Sequence, residues 1–371
     1  MKILIDAHLF DDNFHQGSRT YLRELYNELI LKSPEFSFYF VSSNLTLLKT
    51  EIKSNPNVFF VKLFWRNKFL RLLIEIPYLI FRHKIDFAHF QYISPPIKLA
   101  KEVVTIHDVL FIDFPHFFPK KYRLVNNFLF KNSAKRADIL LTVSGYSKAA
   151  IAKHYNVDLD KIDVTPNAVC RSANSKVKLT DLLFKEKYGL KKYILYVSRI
   201  EPRKNHILLL KVFYDLNLWE RGFQLVFIGQ KSLRSQVLNS YWDSLDQKIK
   251  KEIIHLESIR EEDLNLFYSY CSLFIYPSFA EGFGIPPLEA IANHAQVLCS
   301  NQTAMAEFDF LNSNMFDPYD YEAFKIKVED ALANPPMKQQ RDILKESMQN
   351  KFSWAFSSNV LRNRLLSFYK S

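Results

Sequence analysis

Glycine is scarce in this chain. There are seven among 371 residues, about 2% where roughly 7% is average. Each survivor (Gly17, Gly145, Gly189, Gly222, Gly229, Gly282, Gly284) is therefore expected where other residues fit badly. Cysteine is scarcer still, with Cys170, Cys271 and Cys299 far apart and no C-x-x-C. That excludes a disulfide scaffold and a cysteine-based zinc site, and it fits a reducing cytoplasm. No uncharged apolar run approaches the ~18 residues that span a bilayer. The nearest, residues 69–81, carries Arg71, Glu75 and Pro77. The opening residues run straight into a strand pattern, without the apolar region of a secretory signal.

What is present is ordinary globular material. Hydrophobic residues make up 48% and charged residues 24%, which excludes a disordered chain. The length exceeds what one core usually serves, so two domains are expected. Short apolar β-rich runs alternate with helical patterns throughout, the signature of β-α-β units and parallel sheets. Strands are predicted at 2–6, 37–42, 58–62, 87–90, 103–106, 139–143 and 162–164. Helices are predicted at 19–31, 122–135 and 147–155. Residues 166–180 are polar and aperiodic and read as a linker. A second series follows, with strands at 193–198, 224–228, 253–256, 273–277 and 296–300. Its helices are placed at 206–217, 233–246, 261–270, 286–293, 321–333 and 339–350. Two such series imply two doubly wound α/β domains facing each other across a cleft, with ligands outside the carboxyl ends of the strands.

Lys and Arg number 50 against 39 Asp and Glu, a net charge of +11. Residues 62–84 hold Lys62, Arg66, Lys68, Arg71, Arg82 and Lys84 against Glu75 alone, and residues 120–136 are basic without any acid. Both stretches interleave aromatics such as Phe64, Trp65, Phe69, Tyr122 and Phe128. They read either as solvated faces or as contacts with an anionic membrane surface. No nucleic-acid motif accompanies the charge, so nucleic acid is not an expected partner.

Two segments carry the chemistry. The first is Leu273-Phe-Ile-Tyr-Pro-Ser-Phe-Ala-Glu281-Gly-Phe-Gly284-Ile-Pro-Pro-Leu-Glu289. An apolar strand ends in a glycine-bearing loop, and prolines stand at the first turn of a helix, where early N–H groups lack helical partners. Such a loop and helix start suit an anion. Glu281 and Glu289 have no neighbouring cation in sequence, so sugar hydroxyls are natural partners. The second segment is Tyr196-Val-Ser-Arg199-Ile-Glu-Pro-Arg203-Lys204-Asn205, at a strand-to-helix junction. Its cations, expected on an exposed rim, would neutralise a diphosphate.

Together these segments resemble glycosyltransferase family 4, retaining and metal-independent enzymes of the GT-B fold. Glu281 and Glu289 match the E-x7-E signature within P-S-x-x-E-G-F-G-x-P-x-L-E-A, and Arg199 and Lys204 match the R-x4-K pair. The resemblance covers nearly the whole chain. Gln16-Gly17-Ser18 looks like the family's first glycine loop, His107-Asp108 like its H-D, and Thr142-Val-Ser144-Gly-Tyr-Ser147 like its T-V-S-x-x-S. Thr165-Pro-Asn-Ala-Val169 resembles P-N-G-V, and Phe352-Ser-Trp354 the tail that returns to the first domain. Gly17 standing alone and Ala168 in place of glycine are departures from the family pattern.

The resemblance implies a donor-acceptor division: residues 1–175 for the acceptor, 176–350 for the nucleotide sugar, and 351–371 as a helix crossing back. The implied donor is a nucleotide-diphosphate sugar, GDP-mannose or similar. The expected acceptor is a saccharide or lipid-linked saccharide, in bacterial surface polysaccharide synthesis in the cytoplasm or at the cytoplasmic face of the inner membrane. Glu281 and His107 would be catalytic. Arg199, Lys204 and Gly17 would bind the diphosphate. Phe283, Gly284 and Ile285 would contact the sugar, Glu289 the ribose, and Ser258 and Ile259 the base. No metal or other cofactor is implied. A GT-B phosphorylase or epimerase, and a non-catalytic GT-B module binding glycan or membrane, remain the alternatives.

Overall fold

The computed structural model describes residues 1–11, 17–169, 180–231 and 236–368. The chain divides into two compact units, Met1–Asn167 with Phe352–Ser371, and Ala168–Lys351. Each is a parallel sheet covered by helices.

The first unit has seven strands: β1 (Lys2–Asp6), β2 (Ser37–Ser42), β3 (Val58–Lys62), β4 (Phe87–Gln91), β5 (Lys101–Thr105), β6 (Ile139–Thr142) and β7 (Ile162–Val164). Their spatial order is β3-β2-β1-β4-β5-β6-β7, every pairing parallel. Central strands such as Lys-Ile-Leu-Ile-Asp and Phe-Ala-His-Phe-Gln are buried on both faces. Continuous rather than alternating burial is what a parallel sheet between helical layers demands. The helix Trp354–Ser367 belongs to this unit. Trp354 meets Tyr21 of the helix Gly17–Lys32 edge-on at 6.1 Å, and Ser357 Oγ donates to Pro166 O at 2.7 Å.

The second unit has β8 (Lys192–Val197), β9 (Phe223–Ile228), β10 (Ile253–Leu256), β11 (Leu273–Tyr276), β12 (Val297–Ser300) and β13 (Met315–Phe316), in the order β10-β9-β8-β11-β12-β13, again all parallel. In both sheets the chain winds one way from a central strand and then returns to its other side. The reversals lie between β1 and β4, and between β8 and β11. There the loops leaving adjacent strands diverge and open a crevice at the carboxyl edge. Residues 170–179 of the expected linker lie outside the described residues, as do Asp12, His15 and Gln16.

Candidate active site

The crevice of the second unit is built by the loops after β8 and β11. Beyond β8 the chain makes a tight helical turn, Pro202–Lys204, and passes through Asn205 at φ 55° into the helix His206–Asp215. The left-handed residue bends the turn toward the β11 loop, and two bonds stitch the two together. Phe279 N donates to Arg203 O at 2.8 Å and Asn205 Nδ2 to Pro277 O at 3.2 Å, while Tyr196 Oη of β8 ties down the turn itself by donating to Lys204 O at 2.7 Å.

This packing corrects one expectation: Lys204 does not stand on an exposed rim. It is buried, with Nζ 2.6 Å from Glu281 Oε1 and 3.3 Å from Tyr276 Oη. Arg203 Nη1 donates to Glu281 Oε2 at 2.8 Å and to Ala280 O at 2.9 Å, and its Nη2 pairs with Glu201 at 2.7 Å. Tyr276 Oη adds a third donor to the Glu281 carboxylate at 3.0 Å. Burial alone would raise the Glu281 pKa, but Lys204 and Arg203 outweigh it and hold the carboxyl at about 2. Burial, followed by the charge of Arg203, lowers that of Lys204. Arg199 is different. It is exposed, and its side chain has no partner among the described residues.

Following the β11 loop, Phe283 and Gly284 are buried and Ile285 begins the helix Ile285–Ala292. Gly284 sits at φ 100°, and a Cβ there would meet Met305 Cγ at 3.3 Å. Glycine is required more strictly at Gly229, which follows β9 at φ 143°. A Cβ there would fall 2.1 Å from Ser198 O. The backbones after β8 and β9 are thus as close as glycine permits. Farther along the 285–292 helix, the half-buried Glu289 accepts from Tyr268 Oη at 2.8 Å, and burial raises its pKa. Nothing else among the described residues binds its second oxygen. Ser258 is exposed and Ile259 half-buried, past the edge strand β10. Two strand spacings, ~10 Å, separate β10 from β8 in the sheet order.

In the first unit, His107 follows β5 and is buried. Its Nε2 lies 2.7 Å from Gln91 Oε1, so Nε2 carries the hydrogen and Nδ1 is the acceptor. Its ring packs edge-on against Tyr21 at 4.9 Å. The network continues inward from Gln91 to His89, and from His89 Nδ1 to Tyr26 Oη at 2.7 Å. Burial pulls His107 down to about 3, so the imidazole is neutral at physiological pH. Gly17 is the exposed first residue of its helix.

Asp11, Asp317 and Asp320 serve as turn and cap acids. Asp11 accepts from Ser42 Oγ and Ser43 N, Asp317 accepts from Tyr319 N, and Asp320 caps the helix Tyr321–Ala333. One triplet escaped the sequence reading: Asp158-Leu159-Asp160, an Asp-x-Asp of the sort that can hold a metal. It lies on a surface turn, with Asp158 paired to Lys161 at 3.1 Å. The sequence groups Arg203 with the rim cations for a diphosphate rather than with Glu281, and it gives no role to Glu201, Tyr268, Tyr276 or Gln91. Arg203 beside Lys204 was the available signal; the tyrosines had none.

Comparison with known proteins bears directly on these two sheets. Residues 16–172 match the model of Glycosyltransferase Family 4, and residues 182–350 match that of Glycosyl transferases group 1. The chain belongs to glycosyltransferase family 4. This glycosyltransferase is 29% identical over 279 residues to O-antigen chain mannosyltransferase B of Escherichia coli, covering 72% of each chain. It is 31% identical over 205 residues to O-antigen chain mannosyltransferase RfbU of Salmonella typhimurium, covering 55% of this chain and 53% of that one. It is 28% identical over 237 residues to the serotype-specific mannosyltransferase WbdA of E. coli, covering 61% of this chain and 28% of that longer protein. The fold is GT-B. A glycosyltransferase from Rickettsia africae superposes with TM-score 0.70 at 19% identity, covering 100% of this chain and 97% of that one. HepE of Anabaena in complex with UDP-glucose does so with TM-score 0.72 at 15% identity, covering 99% and 100%.

Proposed function

We propose that this glycosyltransferase moves a hexose, mannose by the naming of its relatives, from a nucleotide-diphosphate sugar such as GDP-mannose to a saccharide acceptor. The acceptor is lipid-linked, the setting is bacterial surface polysaccharide synthesis on the cytoplasmic face of the inner membrane, and the anomeric configuration is retained. The observation that carries this reading is the buried Lys204–Glu281–Arg203 network beside the exposed Arg199, at the strand-order reversal of the second unit.

As the glycosidic bond breaks, the leaving diphosphate gains negative charge. Cations already fixed in place stabilise it without reorganising. Arg199 is free to supply a planar fork, and Lys204 uses its remaining N–H. Glu289 offers one unengaged oxygen to a ribose hydroxyl, past Ser258 and Ile259 toward the base. Phe283, Gly284 and Ile285 shape the sugar pocket, Gly17 lets backbone approach the diphosphate, and neutral His107 offers Nδ1 to a sugar hydroxyl. Glu281 is a poor proton acceptor, because a carboxyl held at about 2 has almost no affinity for a proton near neutrality. That supports retention, in which the leaving phosphate oxygen can take the acceptor's proton. Turnover of a panel of GDP-, UDP- and dTDP-sugars, with and without EDTA, tests the donor and the metal-independence. A restored phosphorolysis or epimerisation without transfer would favour the other enzymes of this fold.

A membrane partner rests on a separate observation. On the first unit Phe64 and Phe81 are each 80% exposed, Phe69 70% and Phe128 66%, among the cations of residues 62–84 and 120–136. Exposed apolar side chains in a basic setting fit an anionic headgroup layer. Among the described residues no helix is long and apolar enough to cross the bilayer.

A further inference from the structure

The network around Glu281 contains more than the two residues that the family motifs place there. Its charges alternate along a line: Glu201, Arg203, Glu281, Lys204, joined by contacts of 2.7, 2.8 and 2.6 Å. Arg203 is the only member that touches both acids. Its guanidinium also binds Ala280 O, and its own carbonyl receives Phe279 N. A planar five-donor fork can meet both carboxylates and the Ala280 carbonyl at once, whereas an ammonium is a point charge.

We propose that Arg203, held by Glu201, is a positioning residue for sugar transfer: it fixes the Glu281 carboxylate from the Oε2 side, so that Oε1 keeps the Lys204 ammonium in place. The proposal rests on the functional reading above. The geometry assigns the two oxygens of Glu281 separate tasks, Oε2 to Arg203 and Oε1 to Lys204 with Tyr276. Without Arg203 the carboxylate can rotate, and Lys204 follows it. The charges matter as well. The four side chains sum to zero, so Glu201 cancels what Arg203 brings, and the positive charge offered to a diphosphate is left to Arg199. Losing Arg203 would leave the cluster at −1 beside an anionic ligand.

The groups packed around Glu281 set the pH behaviour. Facing it are Arg203 and Lys204 from the turn, Tyr196 from β8, Tyr276 from β11 and Cys299 from β12, with Glu201 paired to Arg203 and His206 next to Lys204. Burial raises both tyrosines and Cys299, so they stay neutral throughout, while it lowers His206 to about 3. The imidazole must therefore be followed by its own ring resonances in any acid titration.

The experiment uses the full chain and the variants R203K, R203Q and E201Q. The Glu281 side-chain carboxyl is followed by carbon NMR, assigned with E281Q, and kcat and nucleoside-diphosphate affinity are measured alongside. R203K keeps the charge and loses the fork. Its kcat should fall on the order of 10²-fold, the scale of a displaced group, while nucleoside-diphosphate affinity holds. R203Q should raise the carboxyl midpoint from about 2 toward the ordinary carboxylate range and weaken nucleoside-diphosphate binding. E201Q should tighten that binding. A wild-type kcat in R203K, or an unmoved carboxyl midpoint in R203Q, overturns the proposal. The titration needs no substrate, so a failure to turn over any sugar nucleotide counts against the functional reading and leaves this test standing.

Discussion

Replacing Lys204 by Met keeps the length of the side chain and removes its charge, which isolates the worth of the buried ion pair. The Glu281 carboxyl lies at about 2 in the folded protein against an ordinary 4.5. At 1.36 kcal/mol per unit, that depression corresponds to about 3 kcal/mol of stabilisation near neutral pH. Lys204 is the larger of the two charge effects that lower it. Arg203 and Tyr276 stay in contact with the carboxylate in the variant. The cost should therefore fall at or below the low end of the ~3–5 kcal/mol seen when a buried pair loses one member. About 2–3 kcal/mol in a domain of this size is a fall in melting temperature of roughly 5–10 °C. The sign with pH follows from linkage. A carboxyl depressed in the folded state contributes fully above 4.5, and the contribution is lost as pH falls toward about 2. The gap between wild type and Lys204→Met should therefore narrow in acid. Arg199→Met is the control: an exposed side chain without partners should leave stability within ~0.5 kcal/mol while weakening nucleoside-diphosphate binding. Scanning calorimetry at neutral and acid pH reads both. If Lys204→Met melts with the wild type at neutral pH, the ion pair is not what holds this loop, and the reasoning fails.

Gly229→Ala should destabilise by at least ~1–3 kcal/mol, because φ 143° is strained for any Cβ and Ser198 O stands 2.1 Å from it; urea unfolding measures it, and a neutral result would contradict the close approach of the two loops. Glu281→Gln should lower kcat strongly yet retain or tighten nucleoside-diphosphate binding, since Lys204 loses its anion; proton NMR of fresh product should show an α-anomer from an α-linked donor, and a β signal would refute retention. Stability should decline as pH drops below 6.5, because His89 and His107 resist protonation until about 3 when folded while the unfolded chain takes protons earlier; His89→Gln should make the decline shallower, and an equally steep decline in that variant would refute the assignment to that ring. Vesicle binding should need anionic lipid and fall with salt, and Phe64→Ser with Phe81→Ser should reduce it; equal binding to neutral vesicles would return those stretches to plain surface.

How much of this was readable from the chain itself follows from the range of each interaction. Strand and helix patterns are local. Apolar runs such as Ile253–Leu256 and the periodic helix Glu261–Tyr270 therefore declared themselves, and alternation of the two types implied parallel sheets. Short pieces did not. The two-residue β13 exists only because β12 offers it an edge, and the helix Leu45–Glu51 only because Asn44 caps it. The order of strands, and with it the crevice between β8 and β11, is likewise a property of the folded sheet. The candidate site divides in the same way. Motif spacing singled out Lys204 and Glu281, but it assigned them to a diphosphate and a sugar rather than to each other. Their contact closes a gap of 77 residues, and the tyrosine donating to Glu289 comes from 21 residues away on a different helix. Sequence spacing carries no information about such pairings. Whether a lysine is an exposed rim charge or a buried partner depends on what the rest of the fold lays over it, and only the tertiary structure decided that.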